Sequence, residues 1–422
     1  MHDTTRWIIC RTVFCAVCIV PTLGVLSWIG LRQMPGHVAL YAEKLSQDIG
    51  MSASMTDVSY PRPDAIRIAG LQLDHPETGE RIAYARRVVM VRRDGEFVVK
   101  IDGGVLADSG PALLGEVVID RVLKRWENQM IPIHLVATDL SLQTGEATYH
   151  FRHCAALLSS ATEGPRVKLE FRLGNQGNGP PISLQVSRHR NVRPPVTQLK
   201  IDTRGNRLPN QLLSHYFPGL LALGKNCTLQ GAGWLTNDVA GWHADWSGEL
   251  AQVDLDRLFD GLPHQLSGLA DISIMGARLH ENRITELAGS ASVTGSGTLS
   301  RSLLEACVRQ LGCSMSPPVD SQVFDEVVPF RELSIAFRID EAGLYIRGQC
   351  HHHSQGTMMQ GERGLRLGEP SNQPLAVTDL LKALVPASNV LVPATRETDA
   401  LLRFLPVPPT MATRLTDDLP IR

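Results

Sequence analysis

The chain has 422 residues, 43% of them hydrophobic and 20% charged, a composition that supports a packed core and excludes wholesale disorder. Its formal net charge of −2 gives no electrostatic footprint for a polyanion such as nucleic acid. The 36 glycines and 26 prolines are scattered, as in a chain with many turns.

The first element is a hydrophobic helix. From Thr12 to Leu31 there is no Asp, Glu, Lys, Arg or His, which is the run of about 20 apolar residues needed to span ~30 Å of hydrocarbon. Trp7 and Trp28 stand near its ends, where indole favours the interface. Pro21 lies mid-span, a position that lipid-embedded helices tolerate. The run exceeds the ~7–15 residues of a signal-peptide core and no A-x-A-like site follows, so a retained anchor is expected over a cleaved leader. Arg6 and Arg11 before it balance Arg32 and Lys44 after it. The soluble bulk lies C-terminal, and the expected orientation is N-terminus inside. Outside the run remain Cys154, Cys227, Cys307, Cys313 and Cys350, an odd number that leaves at least one thiol free or paired between chains.

Pro35 then opens an amphipathic helix carrying Val38, Tyr41, Ala42, Leu45 and Ile49, closed by Gly50. Beyond it the hydrophobic period changes from 3.6 to 2. Ile66, Ile68, Leu71 and Leu73 mark one strand, Val167, Leu169, Phe171 and Leu173 another, and Ile182, Leu184 and Val186 a third. Turn residues separate the strands at His75–Gly79, Arg93–Gly95 and Gly174–Pro181, while Leu113–Trp126 fits either a strand or a helix. A short helix is predicted over Pro209–Phe217, stopped by Pro218, followed by strands interrupted at Gly231, Gly233, Gly241 and Gly248. Leu266–Leu279 and Ile284–Leu299 read as strands. Ser302 and Glu305 have capping-box spacing before a stripe of Leu303, Leu304, Cys307, Val308 and Leu311, with Gly312 at the end. Ser314–Gln322 reads as a linker, Phe330–Ile339 and Gly343–Gly348 as strands, and two short helical stretches follow Pro374.

The expected fold is therefore mainly β with a few short helices: an N-terminal transmembrane helix followed by long curled antiparallel β-sheet units. The divisions are an anchor over 1–33, a β-rich unit with its leading helix over 34–205, a second β-rich unit with helices over 206–395, and a tail over 396–422.

Templates for catalysis fail. There is no G-x-S-x-G elbow, P-loop, H-E-x-x-H or paired C-x-x-C zinc spacing outside the hydrophobic run, and no enzyme, cofactor or metal is expected. Cys350-His351-His352-His353 offers soft ligands, but consecutive strand residues face opposite ways, and a polar turn accounts for it. Trp242 and Trp246 share strand parity and fit either a ligand groove or a sheet's apolar cover. Arg86-Arg87 and Arg92-Arg93 are expected at strand ends in water.

A family pattern is carried by the anchor, by the amphipathic helix ending Asp48-Ile49-Gly50, and by a strand ending near Val58. It continues through Ile66-Arg67-Ile68-Ala69-Gly70-Leu71-Gln72-Leu73, Asp74-His75-Pro76-Glu77-Thr78-Gly79 and Ile82-Ala83-Tyr84-Ala85-Arg86-Arg87-Val88. A similar look recurs at Gly248–Leu255 and Leu266–Ala270. The arrangement resembles the AsmA-like proteins of double-membraned bacteria. The resemblance implies an inner-membrane anchor, a periplasmic β-rich body and a role in envelope assembly or lipid movement, with the bilayer held through residues 12–31 and a phospholipid or acyl chain as ligand. The β region here is shorter than in large members, which argues against a full bridge across the periplasm. The face carrying Val167, Leu169, Phe171, Leu173, Ile182, Leu184 and Val186 is the expected groove lining. The same alternation serves a closed core, so a tethered protein-interaction scaffold with sealed β domains is the alternative.

Overall fold

The computed structural model describes residues 3–32, 35–117, 123–124, 131–144, 147–174, 179–214, 217–317, 326–350 and 356–385. The chain is mostly β. By its internal contacts it divides into two compact units, Met1–Ser159 and Ser160–Arg422. The sequence reading divides the β region at 205/206 instead, where the second unit's ladder runs on.

In the first unit, α1 (Asp3–Phe14), a π-helical turn at Cys15–Ile19 and α2 (Val20–Arg32) run on from one another. The turn has a cause in the sequence. Pro21 has no N–H to donate four residues back and its ring crowds that carbonyl. The wider turn precedes it, closed by the Val20 N–H on the Cys15 carbonyl, and the Thr22 hydroxyl donates to the Cys18 carbonyl. Ile9–Ser27 of this helix is long and apolar enough to cross a membrane. None of that stretch is buried inside the protein: Val17 is 67% exposed and Leu26 59%.

The amphipathic helix forms as expected, as α3 (Pro35–Ile49). Gly50 closes it at φ 80°, and its N–H donates to the Ser46 carbonyl at 2.7 Å. Tyr41 and Leu45 pack on a small core made by Ala53, Ile68, Leu71, Ala85 and Val88. The strands are β1 (Ser52–Ser54), β2 (Asp57–Arg62), β3 (Ala65–Asp74), β4 (Arg81–Arg93), β5 (Glu96–Leu106), β6 (Ile133–Gln143) and β7 (Thr148–Ala161). β1 and β2 both pair antiparallel with β3, and from there to β7 successive strands pair antiparallel except β5 and β6, which are parallel. That pairing corrects the all-antiparallel expectation. A parallel step needs a crossover, and it includes α4 (Gly110–Val117), which resolves the first part of the ambiguous Leu113–Trp126 stretch as helix.

Ile68 and Leu71 share one core although they stand three positions apart, an odd step that puts side chains of a regular strand on opposite faces. The phase is reset at Gly70, whose φ is +59° inside β3, and again at Gly103 (φ +63°) in β5. A side chain at Gly70 would also meet the Thr56 hydroxyl oxygen at 2.7 Å. Strand alternation therefore restarts after a bulge-like residue, and Ile66, Ile68, Leu71 and Leu73 all reach the same core. Arg86 and Arg87 lie mid-strand at this reset, both exposed; Arg92 and Arg93 stand at the strand end as expected.

The second unit is built from β8 (Gly164–Leu173), β9 (Ile182–His189), β10 (Val196–Asp202), β11 (Leu208–Pro209), β12 (Thr228–Asn237), β13 (Trp242–Asp254), β14 (Leu266–Ser267), β15 (Leu269–His280), β16 (Arg283–Ser300), β17 (Cys313–Ser316), β18 (Val327–Asp340), β19 (Gly343–Gly348), β20 (Thr357–Gly361) and β21 (Arg366–Pro370). A long antiparallel ladder runs β8–β9–β10–β12–β13–β15–β16–β18, with β19 and β20 on β18 and then β21 and β17. It does not close on itself among the described residues. The helices are α5 (Leu255–Leu258), α6 (Arg301–Leu311) and α7 (Val377–Leu384).

Three local expectations are corrected. Pro209–Phe217 is not an α-helix: β11 leads into 3-10 turns at Asn210–Leu212 and Pro218–Leu223. The buried Asn210 side chain holds them, donating to the Leu220 and Gly224 carbonyls at 2.9 and 2.7 Å. The cap of α6 is Ser300, not Ser302. The stretch read as a linker begins inside β17, and 318–325 lie outside the described residues. Of the two helical stretches expected after Pro374, α7 is one, and 386–422, where the other and the predicted tail fall, lie outside the described residues.

Candidate functional site

The register brings the seven expected residues to one face. Val167 stands opposite Val186, Leu169 opposite Leu184 and Phe171 opposite Ile182. The same face continues across strand pairs that no local pattern signals. Val186 meets Leu199 and Leu184 meets Ile201 on β10; these meet Leu235 and Gly233 on β12, which face Ala244 and Trp246 on β13. Leu279 and Ala277 follow on β15, then Leu287 on β16 and Ile339 on β18. Eight strands thus share one apolar face. The opposite face is polar, with Lys168, Glu170, Gln185, Lys200, Asp245 and Glu249 in the intervening positions. There Glu170 takes the Lys168 ammonium at 2.9 Å and the Arg204 guanidinium at 3.2 Å. The hydrogen bond from Lys168, with both cations, holds its carboxyl below the usual carboxylate range.

The apolar face is sealed in some places and open in others. Ile182 is fully buried and Leu173 7% exposed, while Val167, Leu169, Phe171, Leu184 and Val186 are half-buried. Trp242 and Trp246 lie on this face and Trp234 on the other. Trp246 lies across Gly231 and Gly233: a Cβ on either would come within 2.8 Å of its ring, so these glycines make room for an indole that covers bare backbone. Trp242 remains 44% exposed.

Toward β16 and β18 the same side of the sheet is filled. Val253, Leu299, Leu304, Phe330, Met359 and Leu365 belong to one buried cluster, and α6 and α7 contribute to it. A cavity of about 470 Å³ beside the start of α6 is lined by Pro263, Gln265, Ser300, Arg301, Ser302, Glu305 and Glu326, none of them among the seven. All eight cysteines are free. Cys350 is buried, and His351, His352 and His353 lie outside the described residues. Among the described residues no group of three or more His, Cys, Asp or Glu is placed to hold a metal ion.

Comparison with protein-family models, with curated proteins and with solved structures finds no match for this chain.

Proposed function

We propose that this chain is a membrane-anchored protein of the AsmA-like type, with its β-rich body on the periplasmic side of the inner membrane, and that the curled apolar face of the second unit handles the acyl chains of envelope lipids. The observation that carries the reading is the uninterrupted apolar row from β8 to β18, half-open around Leu169, Leu184 and Trp242. Seven strand-to-strand steps of ~4.8 Å give the row about 34 Å, against ~15 Å of hydrocarbon per bilayer leaflet, so an acyl tail fits along it. Each methylene that leaves water there gains about 0.8 kcal/mol. The helix Ile9–Ser27 supplies the reason for a lipid as occupant, since a spanning helix tethers the chain that carries the face to a bilayer.

The scaffold alternative draws on the cluster around Leu304 and Phe330, where buried side chains pack on one another. Binding of a fluorescent fatty acid to the detergent-extracted protein separates the two. Phe171→Glu and Trp242→Glu place charge on the half-open part, and Trp242 is exposed enough that its variant keeps the fold. Wild type is expected to bind and both variants to lose about tenfold or more, as charge in an apolar slot costs at least ~1–3 kcal/mol. A wild type that binds no acyl chain, or folded variants that bind as before, removes the lipid reading and leaves the scaffold.

A further inference from the structure

Where β13 begins and β15 ends, two imidazoles face one another across the sheet. His243 Nδ1 and His280 Nδ1 are 2.9 Å apart, with the rings edge to face. Each ring turns its other nitrogen toward a carboxylate. His243 Nε2 is 3.2 Å from Asp238 Oδ2, and His280 Nε2 is 3.7 Å from Glu281 Oε1. The frame around them is fixed by backbone bonds. The Trp242 N–H donates to Asn282 Oδ1 at 3.0 Å and the Asn282 N–H to the Trp242 carbonyl at 3.1 Å. Asp238 is held in its turn by the Ala240 N–H at 2.8 Å and the Gly241 N–H at 3.2 Å. Gly241, at φ +128°, leaves the space Asn282 occupies, since a Cβ there would meet its amide nitrogen at 2.4 Å.

We infer that His243 and His280 form a two-imidazole site for a divalent copper- or nickel-type ion, with Asp238 as the carboxylate that stands behind the His243 ring. Three features carry it. Metal-bound nitrogens sit about 2.0–2.1 Å from the ion, so two of them at a right angle are about 2.9 Å apart, whereas a tetrahedral pair is ~3.3–3.4 Å apart. The observed separation, that of a hydrogen bond between the two nitrogens, lets both take one ion at a right angle with little movement, and square or tetragonal nitrogen sites are those of Cu(II) and Ni(II). Asp238, at ion-pair distance from His243 Nε2, favours the proton of a neutral imidazole on that nitrogen and so a bare Nδ1, the arrangement found behind metal-bound histidine. Without metal, one Nδ1 must carry a proton to bridge the pair. On binding, that proton moves to Nε2 of the same ring, which in His243 faces Asp238, and water completes the coordination. The His243 side chain is 15% exposed and that of His280 63%, so the ion is half-sheltered yet reachable.

The test uses the full chain in detergent, with His351, His352 and His353 changed to asparagine so that they do not compete. CuCl₂ and NiCl₂ are titrated by calorimetry, and the copper form is examined by electron paramagnetic resonance. One equivalent is expected, with two nitrogen ligands in the spectrum. His280→Ala, at an exposed strand end, is expected to fold and to lose at least ~100-fold in affinity, and Asp238→Asn about 10- to 100-fold. Copper binding that His280→Ala leaves unchanged, a spectrum without two nitrogen ligands, or a site that takes Zn²⁺ and not Cu²⁺ or Ni²⁺ overturns the assignment.

Discussion

Burial governs the thiol chemistry outside the N-terminal helix. Desolvation raises the pKa of Cys154, Cys227, Cys307 and Cys350 to about 11, and that of Cys313 to about 12 with a smaller push from Cys307. The thiolate is the reactive form, so these groups are slow nucleophiles near neutral pH. Iodoacetamide at pH 8 is expected to label Cys227 and Cys313 far more slowly in the native protein than in guanidinium; equal rates would show that neither is enclosed. The sign of the pH effect follows from linkage. Above about 9 the unfolded chain loses thiol protons that the folded chain keeps until about 11, so the unfolded state binds fewer protons and stability falls as pH rises through that window. At the same scale, Leu304 is 1% exposed at the centre of its cluster. Leu304→Ala is expected to cost about 2–5 kcal/mol in denaturant unfolding. Leu304→Asp, which buries an unpaired carboxylate, is expected to unfold the second unit; protease resistance equal to wild type would show that α6 is peripheral.

How far an element can be read from sequence is clearest in α6. Its stripe and the closing Gly312, at φ 67°, were legible because helical period and left-handed caps are local. Its start was misread. The S-x-x-E spacing of Ser302 and Glu305 imitates a capping box, but β16 runs on to Ser300, whose hydroxyl accepts from the Leu303 N–H. Glu305 turns to Arg301 at 2.9 Å and Arg309 at 3.2 Å. Ser300→Ala is therefore expected to cost about 1 kcal/mol, and Glu305→Gln no more than ~0.5, because its partners are largely solvated. Circular-dichroism melts of the two variants compare them directly, and the reverse order would restore the capping box. The first strand teaches the same lesson. The parity break between Ile68 and Leu71 is visible in the sequence, yet that it marks a reset at Gly70 follows from the backbone. Likewise, the alternation of Val167–Leu173 and Ile182–Val186 was readable, but their continuation onto Leu199, Leu235 and Trp246 depends on register between distant strands, which no local pattern encodes.

At the scale of the molecule, the N-terminal helix makes a claim separable from the fold of either unit. No side chain in Ile9–Ser27 is buried in protein, so this segment contributes no packing to the cores that hold the β units together. Its apolar surface calls for hydrocarbon, since side chains such as Val17 and Leu26 exposed to water each forfeit ~1.5–3 kcal/mol of burial. Deletion of residues 1–33 is accordingly expected to leave the melting temperature of the remainder within a degree or two while abolishing the need for detergent. The α3 helix, with Tyr41 and Leu45 on the first core, stays in the shortened chain, so its own packing is not disturbed. A remainder that still requires detergent would place a second membrane-seeking surface in the β units, and a collapse in melting temperature would mean that the helix packs on them after all. Orientation is tested on the intact chain. With the basic residues balanced across the helix, placement rests on the bulk of the C-terminal side, and a phosphatase reporter fused after Arg422 is expected to be active in the periplasm. A reporter that works only in the cytoplasm, active at the same junction, would sink the periplasmic assignment and with it the route by which envelope lipids reach the face formed by β8 to β18.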